Sequence, residues 1–145
     1  MLPRILCYGE NSMSNKFDFD LTNRVIRGRS DGVVTDESVK EYYAIMSKYG
    51  RLNPTYSSIS DPSAVTFIAV SSRTILELAK SPPAIPNPDI PRCIVAGSPA
   101  MFGVARMFEF EGGATRPNLH VVRSEREAFA ILGIKKARFG SVEPG

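Results

Sequence analysis

The sequence has no tryptophan, one histidine (His120) and two cysteines (Cys7 and Cys93). A single histidine makes a histidine-based triad or metal cluster hard to assemble, and His120, in NLHVV, has no nucleophile or acid of the right kind beside it in sequence. It reads as a structural or surface residue. Two cysteines cannot form the dense framework of a small disulfide-stapled domain. Both sit among apolar neighbours, in RILCY and PRCIVAG, and are expected to be reduced and buried. No apolar run reaches the roughly 18 residues that a membrane span needs, so no membrane insertion is expected. The opening MLPRILCYGENSMSNK is not expected to act as a signal peptide, because Pro3 and Arg4 break its apolar stretch and Gly9 ends it. A cytoplasmic location is the resulting expectation. The 18 Lys and Arg are interleaved with 15 Asp and Glu, for a net charge of +3. Nucleic-acid binding usually shows as a clustered basic stripe, so this spread argues against it.

What is present suits one globular domain. A chain of 145 residues that is 43% hydrophobic and 23% charged can bury a sizeable core. Residues 1–15 read as an extension, with a short strand over residues 5–8. Phe17, Phe19 and Leu21 alternate with Asp18 and Asp20, which is strand periodicity. Residues 25–29 return as a second strand, so the two predict an antiparallel hairpin that ends at Ser30-Asp31-Gly32. Thr35 or Asp36 caps a helix carrying Val39, Tyr42, Tyr43, Met46 and Tyr49 at helical spacing, with Gly50 as its terminator. Residues 56–60 read as a third strand, Asp61-Pro62 as a turn, and residues 65–68 as an extension of that strand or a connector. Ser71-Ser72 precede a short helix, RTILELAK. The segment SPPAIPNPDIP cannot be helical and predicts a stiff connecting loop.

Residues 92–96 form a continuous apolar run expected as a buried strand. Ser98 caps the next helix with Pro99 at its first position, and Gly112-Gly113 stop it. The loop before that helix lacks the GxGxxG and GxxxxGK patterns, so no nucleotide or other cofactor is implied. Residues 119–122 predict the last strand. Ser124 and Glu127 predict a capping box for a helix closed by Gly133, and residues 135–145 read as a tail. The order β-β-α-β-α-β-α-β-α predicts an α/β fold: a mixed, four- to five-stranded sheet with an N-terminal hairpin and about four covering helices.

Three segments together resemble STAS-like proteins (sulfate transporter and anti-sigma factor antagonist). They are FDFDLTNRVIRGRSDGVVTDESV, RCIVAGSPAMFGVARMFE and LHVVRSEREAFAILG. The resemblance covers about residues 16–134 and is closest to a bacterial subgroup of small uncharacterised members. It implies a STAS-like fold and a regulatory or protein-interaction role without catalysis, with a protein partner that could be a second copy of the chain. Anti-sigma factor antagonists carry an Asp-Ser-Ser-Gly-type motif whose second serine accepts phosphate. The matching stretch here is VTFIAVSSRTILELA, with Ser71 and Ser72 in place but Val70 for the Asp and Arg73 for the Gly. Ser72, and secondarily Ser71, are therefore the phosphorylation candidates, and Arg73 an adjacent cation.

The Met- and Phe-rich helix offers Phe102, Arg106, Met107 and Phe108 as interaction or ligand candidates. The alternative function is a carrier of a small or lipid-like molecule near that helix. The acidic pairs Asp18/Asp20 and Glu109/Glu111 read as solvated faces.

Overall fold

The computed structural model describes residues 14–145. The strand expected over residues 5–8, and Cys7, lie outside that range. Strands β1 (Ser14–Asp20) and β2 (Val25–Thr35) form the expected antiparallel hairpin, with Phe19 opposite Ile26. Contrary to expectation, β2 does not end at Ser30-Asp31-Gly32. Register shifts against its other neighbour absorb these residues, and Gly32 takes a φ of 77° that few side chains tolerate.

That neighbour is β3 (Ser57–Ala69), which runs parallel to β2 from Val25↔Ser57 to Thr35↔Ala69. Asp61-Pro62, expected as a turn, lies inside β3. Pro62 is tolerated because neither neighbour pairs with it: it falls in the register shift against β2 between Arg29↔Asp61 and Asp31↔Ala64, and β4 (Arg92–Val95) pairs with β3 only through Ser60.

Parallel neighbours need a crossover, and helix α1 (Asp36–Leu52) supplies it between β2 and β3. Thr35 caps α1: its hydroxyl accepts from the Ser38 N–H at 3.2 Å, and Ser38 returns a bond to the Thr35 N–H at 2.8 Å. Gly50 does not terminate α1, which continues to Leu52. A Cβ at Gly50 would strike the Ala84 carbonyl, so the glycine lets the Pro-rich loop pass close to the helix.

Helices α2 (Ser72–Lys80), α3 (Pro99–Gly112) and α4 (Glu125–Leu132) and strand β5 (Leu119–Val122) complete the chain. The sheet order is β1-β2-β3-β4-β5, antiparallel only in the hairpin. Among the described residues, five strands and four α-helices make the mixed α/β architecture that the residue pattern predicts.

Alternation along the strands divides the core between two faces. Ile26, Phe19 and Met46 are buried on one face under α1, with Phe17, Tyr42 and Tyr49 packed around them. Val25, Ile59, Cys93, Val95 and Val122 are buried on the other, beneath Ala128 of α4. Ser124 accepts from the Glu127 N–H at 3.2 Å as expected, but the Glu127 carboxylate accepts from Arg123 N–H, one residue before the cap. Gly133 closes α4 with a φ of 72°.

The C-terminal segment is tied to the domain. Gly140 and Phe19 exchange two backbone bonds at 2.8 and 2.9 Å, which covers the outer edge of β1. Phe139 stacks on Phe129, and the Arg27 guanidinium lies 3.8 Å over the Phe139 ring.

The acids of β1 are not a solvated face. Asp18 receives bonds from Arg27 Nε at 3.0 Å and Nη2 at 2.8 Å, while Arg27 Nη1 reaches Glu125 at 2.7 Å. Asp20 is fully buried and accepts from the Asn23 N–H and side-chain amide and from the Arg138 N–H, at 2.7–2.8 Å. The alternating pattern hid this because the partners lie in the following turn and at the far end of the chain. Burial alone would raise the Asp20 carboxyl, but these donated bonds outweigh it and hold it below its ordinary value.

Asp20→Ala removes one acceptor from three donors and is expected to cost about 1–3 kcal/mol in urea unfolding at neutral pH. A depressed folded pKa gives stability that is complete above the unfolded value and lost as pH falls through the folded one. The gap between wild type and D20A should therefore close below about pH 4. A gap that stays constant to pH 2 would mean that the charge contributes nothing.

Candidate functional site

The parallel ladder ends where the serine pair begins. Thr35 and Ala69 are its last register partners, so the start of α1 and the start of α2 leave the sheet side by side. Ser71 is the N-cap of α2: its hydroxyl accepts from the Thr74 N–H at 3.2 Å. Asp36, in the first turn of α1, accepts from the Ser71 N–H at 2.7 Å and from the Ser71 hydroxyl at 3.1 Å. The bond from the Ser71 backbone is the largest influence on the Asp36 carboxyl; desolvation opposes it, and with smaller contributions from Thr74, the Ser71 hydroxyl and Lys40 it holds the carboxyl below its ordinary value. An acid therefore reaches the serine pair from another element although Val70 occupies the adjoining position in sequence. The sequence reading missed Asp36, treating it only as a cap; the parallel register of β2 and β3 is the signal that would have found it.

Ser72 occupies the first helical position and is exposed, as is Arg73 beside it. The cap and the bonds to Asp36 belong to Ser71, which leaves the Ser72 side chain outside that arrangement. Upstream, the outer half of β3 has an edge that no described strand covers, and Phe67 on it is 62% exposed. A hollow of about 490 Å³ lies between this half-strand and the start of α3, bordered by Val65, Phe67, Ser98 and Met101.

The α3 candidates divide between two surroundings. Phe102 lies under Arg123, 4.5 Å from its guanidinium, and Arg106 pairs with Glu109 at 3.3 Å in a largely exposed position. Phe108 faces inward, edge-on to Tyr43 and under Arg116 at 4.8 Å, where it borders a partly open cavity under the helices. Met107 is half-buried. Helices α2 and α3 pack together, but the serine pair and the α3 candidates do not form one constellation.

His120 has a neighbour that its sequence context concealed: it is the register partner of Cys93 across β4 and β5. Burial pushes the Cys93 thiol up to about 12, the wrong direction for a thiolate nucleophile. Among the described residues no group of three His, Cys, Asp or Glu is placed to hold a metal ion.

No family model and no curated protein matches the sequence. Solved structures do. The anti-sigma factor antagonist SpoIIAA in its unphosphorylated form superposes with a TM-score of 0.54 at 16% identity, covering 85% of this chain and 100% of that one. The chain has a STAS-like fold. The Bacillus cell fate determinant SpoIIAA in its phosphorylated form gives a TM-score of 0.50 at 17% identity, covering 81% of this chain and 97% of that one. Likeness at this identity fixes the architecture and leaves the chemistry to the residues. Within this fold the serine pair stands at the start of α2, with the bridging acid supplied by α1.

The two serines should separate in a stability measurement. Ser71→Ala loses the cap and the tie to Asp36 and is expected to cost about 1 kcal/mol. Ser72→Ala should change stability by less than about 0.5 kcal/mol. Equal losses in urea unfolding would show that the cap is not confined to Ser71.

Proposed function

We propose that this chain is a non-enzymatic regulatory module that binds a protein partner through the outer half of β3 and the start of α2, and that phosphorylation of Ser72 switches the binding. The observation that carries this reading is the exposed Ser72 on the first turn of a helix whose cap is already supplied by Ser71. A phosphate at that position meets the unpaired N–H groups and the positive end of the helix dipole, with Arg73 adjacent. The same dianion is repelled by Asp36, which is bonded to the neighbouring residue. Phosphorylation thus adds charge to the surface and loads the contact between α1 and α2 in one step.

The open edge of β3 supports a protein as the partner. Exposed strand edges with a projecting aromatic pair readily with another chain, and Phe67 supplies that aromatic. A second copy of the chain is one such partner. The buried Cys93 thiol beside His120 supports the non-catalytic reading, since that pair lacks an activated nucleophile. No described helix is long and apolar enough to cross a membrane, and the same reading assigns the module to the cytoplasm.

The test is affinity capture from the native cell with tagged wild type, S72A, S72E and F67S chains. Wild type and S72A should recover the same partner, while S72E and F67S recover it with at least about tenfold weaker affinity, the loss typical of one central contact. Mass spectrometry of the α2 peptide should place phosphate on Ser72 and not on Ser71. Equal capture by all four chains, with no phosphate on the peptide, would overturn the proposal. Wild type eluting as a dimer and F67S as a monomer would identify the partner as a second copy.

A further inference from the structure

The sheet face beneath α1, α2 and α3 carries short polar side chains where a close-packed core would carry branched apolar ones. Ser30 of β2 and Ser58 and Ser60 of β3 lie on this floor, and Ser30 and Ser58 are buried. The helices above contribute Met46, Ile75, Leu78, Val104 and Phe108. A cavity of about 170 Å³ remains between floor and helices. An apolar cavity of about 150 Å³ is large enough to take up benzene.

One part of the lining is cationic. Arg92, the first residue of β4, is the register partner of Ser58 and is only 5% exposed. Its Nη1 donates to the Ile85 carbonyl at 2.9 Å and its Nη2 to the Asn87 carbonyl at 3.2 Å, but its Nε–H has no partner. A buried guanidinium held only by neutral carbonyls is costly unless an anion joins it. Arg116, which also lines the cavity, differs. Its donors are used on the Leu78, Ala79 and Ser81 carbonyls at the end of α2 and on the Tyr43 hydroxyl. Asp61 is the one carboxylate on the lining. It stands three residues beyond Ser58 on β3, about 10 Å at the rise of a strand. Burial, followed by repulsion from Arg116, pulls the Arg92 guanidinium below its ordinary value, which is the direction a bound anion would reverse.

We infer that this cavity binds a small organic monocarboxylate whose apolar body has about six to eight carbons, the carboxylate pairing with the Arg92 guanidinium, which no described acid neutralises. The Ser58 hydroxyl stands at the same end of the cavity, and the apolar body lies against Ile75, Leu78 and Phe108. A phosphate dianion fits poorly, because one guanidinium and apolar walls cannot replace its hydration.

Titration of the full chain with benzoate, benzyl alcohol and benzylamine, followed by calorimetry and amide NMR, tests this. Benzoate should bind at least about tenfold tighter than benzyl alcohol, the margin of one charge-assisted hydrogen bond, and benzylamine should not bind. Arg92→Met should reduce benzoate to the affinity of benzyl alcohol. Should R92M fail to fold, Val104→Phe fills the cavity from α3 without touching Arg92, and it should abolish benzoate binding while leaving the circular dichroism spectrum unchanged. Equal affinity of wild type for benzoate and benzyl alcohol, no saturable benzoate binding, or undiminished binding by a folded V104F would each overturn the inference.

Discussion

The parallel pairing of β2 with β3 governs the rest of the molecule. It runs from Val25↔Ser57 to Thr35↔Ala69, much further than the contact of β3 with β4. Because the strands are parallel, the chain must cross over between them, and α1 is that crossover, laid on the face where Ile26 and Phe19 are buried. Because the pairing outruns the rest of the sheet, β3 has one uncovered edge along its outer half among the described residues. Because both strands end level, Asp36 and Ser71 meet at the far end of the ladder. The serine site, the open edge and the space under the helices all follow from one long ladder.

Most of the architecture could be read from local patterns. The hairpin shows in the alternation of Phe17, Phe19 and Leu21, and the caps show as Thr35, Ser98 and Ser124 at the heads of apolar helical runs. Errors fell where a residue with a strong local habit serves a distant contact. Asp61-Pro62 looks like a turn, yet a strand can carry a proline where a register shift and the end of its neighbour leave that position unpaired. Gly50 looks like a helix stop, yet it makes room for the Ala84 carbonyl. Asp18 and Asp20 look like solvent-facing alternates, yet Arg27 and the Asn23 and Arg138 amides claim them. The serine pair was visible as a motif, but its acid was not, because Asp36 is close to it only after the crossover has formed.

Buried charge is treated in three ways. Arg27 is neutralised by two carboxylates and stacked on Phe139, so it joins β1, β2, α4 and the C-terminal segment. Asp20 keeps its charge on donated N–H bonds alone, and Arg116 closes the carbonyl end of α2, where a cation is favoured. Arg92 departs from all three, with neutral acceptors, no acid and an idle donor. Networks that are fully satisfied fix a fold, whereas an unsatisfied member marks a place where something else can be accommodated.

Ile68 and Val70 lead into Ser71, and Ile75 follows one turn into α2; all three also line the cavity under the helices. Ile68 and Val70 are half-buried, so the same side chains border the pocket and the outer face. Any guest that shifts these three residues changes the shape shown outside, and any visitor that shifts them from outside changes the guest's affinity by an equal factor. The domain's two addresses would then share one wall, and the wall would carry messages in both directions.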